Sequence, residues 1–217
     1  MNLELMAARR ITAGLVYPPR PLQKAQLTSL YSQITSRYEF AQFQLLPDGA
    51  RLGHGDQSEC LIQAGPQGGR IQVNENISTH FEMSKQKAAD LFQMIATGLQ
   101  VEQYIAFGVK IIASCPTDES GDAGKLIERG FLKLSEADFA PLGSGKRGTG
   151  IRINLHRDGV YDIRIEPLFR DTRFLHVELD VQFAEPFVGL DTVEPRMDTA
   201  YGFLFGELKE FMASAMA

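Results

Sequence analysis

The chain is poor in cysteine: Cys60 and Cys115 are its only two in 217 residues. They lie far apart and match no metal or redox spacing, which excludes a disulfide framework and a cysteine-rich metal site and fits a reducing compartment. No apolar run approaches the ~20 residues that cross a bilayer, so no membrane span is expected. The opening stretch MNLELMAARRITAGL puts acids before its arginines and lacks the apolar run of a signal peptide. The expectation is a soluble cytoplasmic protein. An excess of positive charge is missing too: 22 Lys and Arg against 27 Asp and Glu leave a net charge of −5, a field that works against nucleic acid and anionic membranes. Low-complexity tracts are absent, and no linker-like composition interrupts the chain near residue 100. A single α+β domain over 1–217 is therefore expected, with halves 1–100 and 101–217 sharing one sheet.

What the chain has in quantity is alternation. Between Ile151 and Phe183 the segments IRINLHR, VYDIRIEPL and FLHVELDVQF alternate apolar and polar residues, the pattern of three strands with one buried face. ITAGLVY (11–17), FAQFQLL (40–46), ECLIQA (59–64) and RIQVNEN (70–76) read as further strands, the last two joined through Gly65-Pro66-Gln67-Gly68-Gly69. YIAFGVKIIASC (104–115) is apolar on both parities and predicts a central strand covered on both faces or nearly so. Helical stripes run from about Leu22 to Tyr38, from Ser84 to Leu99, briefly after Ser120 to a C′ glycine at Gly130, and from Pro195 to the C-terminal end. Each half thus reads strand, helix, three strands, helix. The architecture implied is a curved, mostly antiparallel sheet with helices packed on one face, in which that order is a pseudo-repeat.

Three candidate sites follow. Setting Leu155 opposite Ile163 and Ile165 opposite Val177 places His156, Asp162 and Asp180 in one row on the polar face, where two adjacent carboxylates and an imidazole could hold a divalent metal. Lys146, Arg147 and Arg152 form a basic stretch within 143–173 that could contact an anion. The loop around them is not a phosphate loop, because Ala140 and Arg147 stand where that motif needs a glycine and a hydroxyl. Tyr201, Phe203 and Phe205 exceed one helical stripe and are candidate interface residues.

The residues supply no nucleophile with its base, and both cysteines read as core. The leading expectation is accordingly a non-enzymatic binding or assembly protein, a homo-oligomer or partner of another protein through its C-terminal helix or a sheet edge. The alternative is a metal-dependent hydrolase or lyase using His156, Asp162 and Asp180. A weaker alternative is anion or nucleic-acid binding by the 143–173 segment. No cofactor is indicated.

Four segments, Val16-Tyr17-Pro18-Pro19, Arg70-Ile71-Gln72-Val73-Asn74, Phe107-Gly108-Val109-Lys110-Ile111 and Leu175-His176-Val177-Glu178-Leu179-Asp180, together with the element order, resemble a sporadically distributed bacterial family of uncharacterised α+β proteins. The Arg-Tyr-hydrophobic pattern of that family's central strand is absent here. The resemblance implies a fold and carries over no catalytic residue.

Overall fold

A computed structural model describes residues 2–77, 80–117, 121–143, 146 and 148–216. In chain order its elements are β1 (Ala7–Tyr17), α1 (Lys24–Thr35), β2 (Gln42–Leu46), β3 (Gly49–His54), β4 (Ser58–Gln63), β5 (Gly69–Asn76), α2 (Phe81–Leu99), β6 (Gln103–Tyr104), β7 (Ala106–Pro116), α3 (Ala123–Ile127), β8 (Ile151–His156), β9 (Val160–Pro167), β10 (Phe174–Phe183), β11 (Phe187–Val188), α4 (Val193–Phe205) and α5 (Glu207–Met216). The fold is α+β. Nine strands form an open, mostly antiparallel sheet in the order β2-β3-β4-β5-β1-β7-β10-β9-β8, and β6 pairs with β11 apart from it. In that order β1 lies beside β5 and β7 beside β10, and the first meander has four strands, β2 to β5, where the sequence pattern predicts three.

Two compact units divide the chain. One comprises Arg10–Lys110 and Val181–Thr199. Within it β5 runs antiparallel to β1, and the odd-numbered residues Ile11, Ala13, Leu15, Ile71 and Val73 are buried. Helix α1 buries Leu27, Leu30 and Ile34, the stripe read from its spacing, and α2 buries Leu91, Phe92, Ile95 and Leu99 on the face it turns to β5. Helix α2 starts at Phe81, so Ser84 stands inside its first turns rather than at its cap. Strand β3 had no clear signal. Its segment looks polar, yet Leu52 is buried and Gly49 sits where a Cβ would run into the Ile62 carbonyl.

The other unit comprises Met1–Arg9, Ile111–Asp180 and Ala200–Ala217. Strand β7 alternates buried with half-buried residues, so one face is fully covered and the other nearly so, since Lys110 and Ser114 share their parity with Ile112. Asp122 caps α3 by accepting from the Lys125 N–H at 3.1 Å, while Ser120 lies outside the described residues. Gly130 is no C′ residue: α3 passes into a π turn over Glu128–Leu132, and the left-handed residue that ends it is Lys133, at φ 55°. A 3-10 helix occupies Glu136–Leu142, its start fixed by a capping box between Ser135 and Asp138. The C-terminal helix is two helices, parted at Gly206.

Candidate functional site

The β8–β9 register differs by two residues from the one read in the sequence. Leu155 faces Tyr161, Ile153 faces Ile163 and Asn154 faces Asp162, while His156 pairs with Val160 around a three-residue turn at Arg157–Gly159. Parity is kept, so the apolar face survives, but His156 is not opposite Asp162. The cause is Tyr161, a core residue 1% exposed that extends the apolar set of β9 one step toward the turn. Asp162 instead accepts a bidentate fork from Arg152, Nε to Oδ1 and Nη2 to Oδ2, each 2.7 Å, with Arg164 at 3.5 Å. The hydrogen bonds from Arg152 hold its carboxyl below the usual carboxylate range, outweighing the upward push of partial burial. Arg164 also pairs with Glu178, at 3.6 Å. Among the described residues no three His, Cys, Asp or Glu side chains come together to hold a metal ion, and the row of His156, Asp162 and Asp180 is not assembled as one site.

Of the basic stretch, Arg147 lies outside the described residues and Arg152 is engaged by Asp162. Lys146 is taken up as well. It donates at 2.8 Å to Glu128, whose other hydrogen bond comes from Thr149 at 2.7 Å, and its ammonium lies 4.0 Å from the centre of the Phe139 ring. Glu128 is 5% exposed. Burial pushes its carboxyl up, but the hydrogen bonds from Lys146 and Thr149 and the charges of Lys146 and Lys125 prevail, so it titrates below its ordinary value. This pair forms part of the wall of a cavity of about 580 Å³ beside the π turn.

The aromatic residues of α4 divide. Phe203 is buried edge-on against Tyr161 of the same chain at 4.9 Å, so β9 covers it. Tyr201 and Phe205 are half-buried, with ring centres 4.6 Å apart.

The most heavily buried polar cluster in the strand-rich part of the first unit escaped sequence reading. Ser58 and Glu75 face each other across β4 and β5, and His54 of β3 faces Ser58. The Ser58 hydroxyl donates to Glu75; Lys87 of α2 donates to Ser58 Oγ at 2.9 Å and to Glu75 Oε2 at 3.0 Å, over the rings of Phe40 and Tyr38. Serine, lysine and carboxylate together resemble a nucleophile with its base, but the arrangement has the wrong sense. Ser58 is 4% exposed, and Lys87 donates to its hydroxyl oxygen and to the carboxylate, so the lysine is not placed to take the serine proton for attack on a substrate. The cluster ties α2 to the sheet. One signal was available: Glu75 falls on the apolar parity of Ile71 and Val73, where a carboxylate must find a buried partner.

Both thiols are core residues. Burial raises Cys60 to about 12 and Cys115 to about 11, so neither is a nucleophile near neutrality. A larger cleft of about 850 Å³ lies between the proline run after β1 and the end of α2, where Arg20 donates to the Gln100 carbonyl at 2.9 Å. Among the described residues no helix is long and apolar enough to cross a membrane. No protein-family model matches the sequence, and no curated protein matches it.

Proposed function

We propose that the chain is a non-enzymatic assembly protein that pairs with a second copy of itself through the edge strand β8. The observation that carries this reading is the state of that strand. It ends the nine-strand order, and its three inward residues Ile151, Ile153 and Leu155 are each only half-buried, whereas Ile163 and Ile165 beside them on β9 are 1% and 0% exposed. Among the described residues no further strand covers this edge, so its half-covered apolar row invites one, and β8 has neither proline nor lysine to repel it.

A second β8 suits this edge. Antiparallel pairing about a twofold axis at Ile153 sets Ile153 against itself, Ile151 against Leu155 of the second copy and Arg152 against Asn154. Both apolar rows then stay on one face. Sliding the register to centre on Arg152 would oppose two guanidiniums, which costs energy. The opposite edge strand, β2, has its Phe43 stacked on Tyr31 at 4.4 Å, while its Leu45 stays exposed.

Light scattering coupled to size exclusion tests the proposal. The wild type should run as a dimer, and Asn154→Pro or Ile153→Lys should run as a monomer with its circular dichroism unchanged. A wild type that is monomeric at every loading concentration overturns the reading, as does a dimer that both substitutions leave intact.

A further inference from the structure

The 580 Å³ cavity beside the π turn is lined along one side by Lys125, Arg129 and Lys133. These three are spaced four apart, and the change from α to π winding between them keeps them on one side of the chain. An α-helix overshoots a four-residue step and a π turn undershoots it, so the two drifts offset. None of the three makes an ion pair with another described residue, and all are exposed. The nearby acids are largely committed: Glu128 to Lys146 and Thr149, and an oxygen of Asp122 to the cap of α3. Among the described residues that line the cavity, Glu136 is left as the acid facing these three cations.

We infer that this cavity is a binding site for a small phosphate-bearing molecule, held by Lys125, Arg129 and Lys133. The site goes beyond the self-assembly proposed above and does not depend on it. A concave space of this volume suits a small ligand, and the net charge of −5 gives the molecule no general affinity for polyanions. Attraction to three separated cations grows with the charge on the ligand, which favours a multivalent oxyanion over a single carboxylate. Arg129 supplies a planar fork that matches two phosphate oxygens; the two lysines supply mobile point charges on either side. The Glu128–Lys146 pair supports the wall while leaving these three side chains free to turn toward a ligand.

The test uses pyrophosphate as probe, with sodium chloride matched for ionic strength, followed by calorimetry and by thermal unfolding. Pyrophosphate should bind and raise the unfolding midpoint where chloride does not, and inorganic phosphate should bind more weakly. Arg129→Gln and Lys133→Gln should each weaken binding by roughly tenfold, in keeping with the loss of one charge-assisted contact. Both side chains are exposed and lack ion pairs, so the variants should unfold at the wild-type midpoint without pyrophosphate. Arg10→Gln, on exposed strand surface elsewhere, should bind as the wild type does. The inference is overturned if pyrophosphate shifts the wild type no more than chloride, or if the double variant Arg129→Gln/Lys133→Gln binds it undiminished.

Discussion

Tyr161 of β9 lies opposite Leu155 of β8, packs edge-on against Phe203 at 4.9 Å, and donates its hydroxyl to Asp158 at 2.7 Å. One side chain thereby sets the register of the hairpin, closes its turn and covers the aromatic face of α4. Tyr161→Phe keeps the packing and gives up one hydrogen bond, so urea unfolding should show a loss of about 1 kcal/mol. Tyr161→Ala should cost about 3–5 kcal/mol, the range for removing a buried aromatic ring. Equal losses for the two would place the stabilisation in the hydroxyl instead.

The Ser58–Glu75–Lys87 cluster should respond differently to one substitution than to two. Glu75→Gln leaves a largely buried ammonium without its counter-charge and should destabilise by about 3–5 kcal/mol. Glu75→Gln/Lys87→Met removes both charges and should recover a good part of that loss. Chemical unfolding of the single and double variants decides it; strictly additive losses would mean that the two charges do not interact.

Acid stability should depend on Glu128. Its folded carboxyl titrates below the unfolded value of about 4.3, so its contribution is complete above that pH and is lost as pH falls through the depressed folded value. Glu128→Gln should therefore weaken the protein at pH 7, while the difference from wild type narrows on the acid side of pH 4. Urea midpoints across that range give the comparison. A gap that stays constant with pH would separate the residue's packing from its charge.

Thiol chemistry offers a probe of the core. With Cys60 at about 12 and Cys115 at about 11, neither thiol should react with a disulfide reagent at pH 8 in the folded protein, and both should react in urea. The sign at high pH follows from the same shift. The unfolded thiols ionise near 8.5, so the stability they contribute is complete below that value and declines as pH rises toward the folded values. Rapid labelling of the native protein would show that the strand carrying the reactive thiol opens locally.

Much of the fold was legible because burial on one face imposes alternation. The parity of β1, β4, β5, β8, β9 and β10 can be read residue by residue, and the stripes of α1 and α2 follow from their spacing. Register was less legible, since pairings two residues apart preserve the same faces and only the ends of the apolar set distinguish them. Tyr161 is such an end: with its ring in the apolar set, His156 pairs with Val160 and not with Asp162. Strand β3 was hidden by its two glycines, and the reason for Gly49, the close approach of Ile62, lies on another strand. The polar clusters were the least legible. Lys87 reaches Glu75 and Lys146 reaches Glu128 through tertiary contact, so neither pair has a spacing to read, although the buried-parity position of Glu75 marks one end of the first.

Gly69 gives the sharpest test of packing in the unit that contains β1. It faces Tyr17 across the β1–β5 pair, and a Cβ added there would run into the Tyr17 ring. That ring cannot move aside cheaply: Tyr17 is 0% exposed and its hydroxyl donates to the Gln63 carbonyl at 2.9 Å. Gly69→Ala must either displace the ring and strand that carbonyl or bend β5 away from β1. Overpacking and a lost buried hydrogen bond each cost about 1–3 kcal/mol, so a loss of roughly 2–4 kcal/mol is expected in chemical unfolding. Replacing the ring first tests the cause. In a Tyr17→Leu background the space beside Gly69 is open, and adding Gly69→Ala should cost much less than it does in the wild type, a coupling that a double-mutant cycle measures directly. If Gly69→Ala costs as much with leucine at position 17 as with tyrosine, the conflict lies with the backbone of β5, and the close approach of the ring does not explain the glycine.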